Sequence, residues 1–111
     1  GLPLVGTTSF TVPELIEDGK NGFLIKTPYS WENYLDGKNK FHTKKWDRDL
    51  AREHPEIIKQ LVEKLSILIE NKKLREKMGL RGREMIESKD GKFSITRRNK
   101  QLRKIYEEAL K

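Results

Sequence analysis

The stretch from Gly1 to Lys26, GLPLVGTTSFTVPELIEDGKNGFLIK, constrains the fold of this chain more than any other part of it. Leu2, Leu4 and Val5 form one short apolar run and Phe23-Leu24-Ile25 a second, each bounded by turn-forming residues. Between them Pro13 stands where a first helical turn tolerates proline. Two short buried strands joined through a helical turn make a βαβ-like step, so the strands are expected to run parallel. Asp18-Gly19-Lys20-Asn21-Gly22 is a turn by its chemistry, with two glycines and an Asn available for positive φ. It leads into a strand, whereas a phosphate cradle normally leads into a helix, and it reads as structural.

A strand ending at Val5-Gly6 places the hydroxyls and N–H groups of Thr7, Thr8 and Ser9 at the carboxyl edge of a parallel sheet, where ligands of α/β folds bind. The next helix, beginning near Thr11 or Val12 and carrying Pro13 and Glu14, points its positive end at the same edge. These donors suit an anion. An ordinary strand-to-helix loop whose hydroxyls cap the backbone accounts for the same residues, with Glu14 as a helix-start carboxylate.

Gly1-Leu2-Pro3-Leu4-Val5, then Pro13-Glu14-Leu15-Ile16, then Asp18-Gly19-Lys20-Asn21-Gly22-Phe23-Leu24 resembles the signature late in the C-terminal domain of retaining, GT-B-type glycosyltransferases of the large group 1 family. The resemblance implies a partial Rossmann-like domain, short parallel strands followed by several helices, with residues 1–111 as the C-terminal part of a nucleotide-sugar-binding unit. It implies a donor beside Thr7, Thr8, Ser9 and Glu14, and transfer of a sugar to an unknown acceptor hydroxyl with retention of configuration. No metal or other cofactor is implied. The sequence departs from the family in one respect: the two consecutive glycines common before the residue preceding Pro-Glu are Phe10 and Thr11 here. The family's pair of donor-binding glutamates, seven residues apart, lies upstream of the Gly-Leu-Pro signature. The chain is therefore read as a piece of a longer parent, inert alone and with no catalytic residue of its own.

Composition sets the outer bounds. The length of 111 residues suits one domain, and no run is long and apolar enough for a transmembrane helix. With 34% hydrophobic and 37% charged residues the core is expected to be thin, although clear periodicity argues against disorder. The absence of Cys excludes disulfides and thiolate metal sites, and the cytoplasm, with or without peripheral attachment to a membrane, is the expected location.

The net charge of +7 raises the question of nucleic acid. Residues 1–28 hold two bases against three acids and residues 29–54 six against five, so the excess lies in residues 55–111, sixteen against nine. There Lys and Arg alternate with Glu as on a solvated helix face, and only Arg97-Arg98-Asn99-Lys100 with Arg103-Lys104 is a dense basic cluster. Nucleic acid is thus the weaker reading; the competing function is a basic, helix-rich module binding nucleic acid or an acidic partner.

Residues 27–54 match nothing in the family and read as an insertion over the sheet edge. Tyr29, Trp31, Tyr34, Phe41 and Trp46 are expected to turn inward with the charges out; carbohydrate stacking is the alternative. His42 and His54 have no metal-ligand spacing. From residue 55 to 111 the chain reads as a helical tail. Ile57, Ile58, Leu61, Val62, Leu65, Leu68 and Ile69 make a broad apolar stripe on a helix that starts at Pro55 and ends at Asn71. Two short helices are expected next, Lys72 to Met78 stopping at Gly79, then Leu80 to Ser88 with Met85 and Ile86 inward. A last helix capped by Ser94 carries Ile95, Leu102, Ile105, Tyr106, Ala109 and Leu110. Two strands alone are marginal in water, so the chain is expected to associate with itself or with the rest of its parent.

Overall fold

The computed structural model describes residues 1–111 as a mixed α/β chain of five α-helices and one two-stranded parallel sheet. Strand β1 (Leu4–Thr7) pairs with β2 (Gly22–Ile25) in the register Leu4 with Gly22 through Thr7 with Ile25. The crossover between them contains α1 (Val12–Leu15), a single turn with Pro13 at its start. The expected parallel step is present, shifted toward the C-terminus: Leu2 lies outside the strand and is exposed, and β1 has no fully buried residue. Ile16 and Ile25 supply the apolar interior on this side.

The turn before β2 is built differently from the sequence expectation. Only Gly19 takes a positive φ (77°); Asn21 contributes its side chain instead. Its Oδ1 accepts the Glu17 N–H at 2.7 Å and its Nδ2 donates to the Leu15 carbonyl at 3.0 Å, so a buried amide engages both its oxygen and its nitrogen in tying the end of α1 to the turn. Gly22 is required for space: a Cβ there would collide with the Leu4 carbonyl across the sheet.

After β2 come a 3-10 turn (Trp31–Tyr34) and α2 (Thr43–Leu50), followed by α3 (Pro55–Glu70), α4 (Lys72–Glu87) and α5 (Ile95–Ala109). Pro55 opens α3 and Asn71 closes it; the Asn71 side chain also caps α4 by accepting the Leu74 N–H at 3.0 Å. Gln60 of α3 accepts from the Lys26 N–H and donates to the Lys26 carbonyl, both at 3.0 Å. A side-chain amide thereby continues the hydrogen bonding of β2 where no third strand follows.

Two expectations fail in α4. It is one helix, running unbroken through Gly79, because Gly79 is buried against the backbone of Gly1 and Leu2 and a Cβ would strike the Gly1 carbonyl. The glycine serves close approach rather than termination. Met78 and Met85 are inward, but Ile86 is exposed, since it lies about 100° round the helix from Met85. Ser94 caps α5 as expected, its Oγ accepting the Arg97 N–H at 3.1 Å and donating to the Lys89 carbonyl at 2.8 Å.

The molecule is flattened, its Cα trace extending 49 × 48 × 14 Å. Eleven residues are buried; the apolar stripe of α3 is covered only along the edge that holds Leu68, and that of α5 is uncovered. No helix is long and apolar enough to cross a membrane.

Candidate functional site

The four residues singled out in the sequence lie where β1 passes into α1. Thr7 ends the strand opposite Ile25, and Thr7, Thr8 and Ser9 are half-buried at the carboxyl edge of the sheet. Glu14 is exposed on α1.

Their roles separate once the hydrogen bonds are followed. Thr8 is committed to structure: its Oγ1 accepts the Thr27 N–H at 3.1 Å and lies 3.3 Å from the Thr27 hydroxyl, while the Thr27 hydroxyl donates to the Tyr29 carbonyl at 3.0 Å. This hydroxyl chain sews the start of the 27–54 segment to the strand edge. The Ser9 carbonyl accepts the Val12 N–H at 3.2 Å and the Thr11 carbonyl accepts the Glu14 N–H at 3.0 Å, and Pro13 has no N–H. The first turn therefore spends its donors locally, and a helix of four residues carries little macrodipole. The hydroxyls of Thr7, Ser9 and Thr11 make no hydrogen bond within the chain, Thr7 and Ser9 being half-buried and Thr11 exposed.

Phe10 holds a left-handed backbone, φ 52°, at the apex of the loop. Its ring meets Trp46 edge-on at 5.4 Å. Trp46 is the centre of an aromatic cluster, touching Tyr29 at 5.4 Å, Tyr34 at 4.9 Å and Phe41 at 5.6 Å, and His54 joins through Tyr29 at 5.5 Å. The 27–54 segment thus does lie at the sheet edge, but its rings fold onto one another and onto Phe10. Trp31 stays outside this cluster and is exposed. Tyr34 is buried and donates from its hydroxyl to Asp49 Oδ2 at 2.8 Å; burial first, and the carboxylate second, raise its pKa above the ordinary tyrosine value. His54 Nε2 lies 2.8 Å from the Asp49 carbonyl, and no three His, Cys, Asp or Glu side chains gather to hold a metal ion.

Two cations reach this end of the molecule from distant sequence, which periodicity alone does not reveal. Lys92 Nζ donates to the Glu14 carbonyl at 2.7 Å. Arg81 of α4 bonds Glu17 Oε2 at 3.3 Å, and that hydrogen bond, with lesser help from the charges of Arg81, Lys20 and Lys92, holds the Glu17 carboxyl below its usual range. A different concentration of charge lies on the polar face of α5, where a cavity of about 900 Å³ is lined by Lys89, Arg97, Lys100, Arg103 and Lys104 together with Asp90 and Glu107. No protein-family model, curated protein or solved structure matches this chain.

Proposed function

We propose that this chain is the C-terminal part of a Rossmann-like, nucleotide-sugar-binding domain of a retaining glycosyltransferase, with the donor diphosphate against the loop from Thr7 to Thr11. The observation that carries this reading is the parallel β1–α1–β2 step, whose carboxyl edge presents the unengaged hydroxyls of Thr7 and Ser9. Phe10 adds support. It occupies a position where the resembled family commonly has glycine, and its backbone is in the conformation that glycine favours. In such a site hydroxyls and loop N–H groups would fix the diphosphate, preorganised for the charge that develops on the leaving group as the glycosyl bond breaks. Glu14, whose side chain is a like charge, would mark the rim of the site or bond a sugar hydroxyl.

Amide chemical shifts report directly on this site. Millimolar UDP-glucose or GDP-mannose is expected to move the resonances of Thr7, Ser9 and Thr11 in the full chain, and Thr7→Val with Ser9→Ala to weaken the effect severalfold. Shifts absent from this loop at saturating nucleotide sugar would reject the assignment.

The cation-lined cavity over α5 supports a second reading, a module that binds a polyanion such as RNA. Affinity for a short RNA that falls steeply with salt, together with indifference to nucleotide sugars, would favour it over the transferase.

A further inference from the structure

Helix α3 turns its apolar ridge away from the rest of the molecule. Its contacts with β2 and α4 are made through one edge, where Leu68 is buried, yet Ile58, Val62, Leu65 and Ile69 are 59%, 59%, 41% and 75% exposed. These four follow one another at spacings of four, three and four residues, the interval of a coiled-coil seam and not of an all-round solvated helix.

The charges beside the seam are arranged for an antiparallel mate. At 100° per residue, Lys59 near the start of α3 and Glu70 at its end fall on the same flank of the ridge, and neither has a salt-bridge partner within the chain. When two copies of such a helix lie antiparallel, Ile58 meets the second copy's Ile69, Val62 meets its Leu65, and Lys59 comes beside its Glu70. The symmetry makes each of these contacts twice.

The total surface is that of a chain with uncovered faces. The chain exposes 9050 Å², against roughly 6,400 Å² for a compact monomer of its mass. The excess, about 2,700 Å², is shared by every uncovered face, α5 included, and the exposed ridge of α3 is one part of it.

We infer that α3 is a self-docking surface, binding α3 of a second copy of this chain antiparallel about a twofold axis between Val62 and Leu65. The inference uses no residue of the β1–α1 loop, so its failure leaves the reading of that loop untouched.

Sedimentation velocity of the full 111-residue chain from low micromolar to several hundred micromolar tests it. The wild type is expected to shift from monomer to dimer across this range, and Val62→Glu to stay monomeric with an unchanged far-UV circular dichroism spectrum, since the side chain is exposed. Lys59→Glu and Glu70→Lys are each expected to weaken the dimer about tenfold, because two pairs become like-charged at once. The double variant Lys59→Glu/Glu70→Lys is expected to return to within about threefold of the wild type. A wild-type chain that remains monomeric throughout, a dimer indifferent to Val62→Glu, or a double variant that fails to recover overturns the inference. A monomer that instead floats with phosphatidylserine-rich vesicles overturns it in favour of a lipid surface.

Discussion

Phe10 is a bulky side chain on a left-handed backbone, a combination that costs about 1–2 kcal/mol and persists only when something else holds it. Its edge contact with Trp46 is that restraint, worth about 0.5–1.5 kcal/mol beyond the area it buries. Phe10→Ala keeps the strain and loses the ring, whereas Phe10→Gly loses both; urea denaturation should find the glycine variant more stable than the alanine variant by about 1 kcal/mol. Glu17 gives a prediction in pH. Its folded pKa is lowered by the hydrogen bond from Arg81, so the unfolded chain takes up its proton first as pH falls. The contribution is complete above the unfolded pKa and is lost as pH drops through the folded one. Glu17→Gln and Arg81→Met are each expected to flatten the fall in stability on acidification below the ordinary glutamate range. A slope equal to that of the wild type would show the pair to be inert.

Among the elements, α4 shows what a glycine reading alone misses. Gly79 and Gly82 look equivalent in sequence, both inside a pattern of Lys, Arg and Glu, yet only Gly79 touches foreign backbone. A Cβ on Gly82 would meet only the Asn21 Cβ at 3.9 Å, an ordinary contact. Gly82→Ala is accordingly expected to stabilise the chain by about 0.5–1 kcal/mol through helix propensity. Gly79→Ala would receive the same propensity gain but must push Gly1 and Leu2 aside, and should destabilise on balance by about 1–3 kcal/mol. Thermal unfolding of the two variants reads the opposite signs. Cap chemistry, in contrast, was legible locally: Pro13, Pro55, Asn71 and Ser94 each stand at the helix boundary their side chains or rings dictate.

For the whole molecule, the decisive quantity is compactness. A radius of gyration of 18.3 Å, where a compact domain of about this length has roughly 13 Å, describes a flattened, open molecule that leaves much of its apolar surface uncovered. Every residue of α5 is exposed, including Ile95, Leu102, Ile105, Tyr106 and Leu110. An unsupported helix of 15 residues is marginal in water, so its amides are expected to exchange with deuterium far faster than those of α3 and α4. Protection in α5 equal to that in α4, measured on dilute protein, would show that α5 is held by contacts of its own.

The sequence by itself determined the local order of this protein: a parallel strand pair through a one-turn helix, then helices begun and ended by Pro, Asn and Ser, because capping, turn chemistry and apolar period act within a few residues. It also located the hydroxyl loop at a strand end. Only tertiary structure decided that Thr8 ties the strand edge to Thr27, that Gly79 admits the N-terminal backbone instead of stopping a helix, and that Trp46 gathers Phe10 into its cluster. It alone showed that the broad stripe of α3 is largely uncovered. Periodicity fixes which residues share a face, but what that face meets depends on where distant segments of chain come to lie.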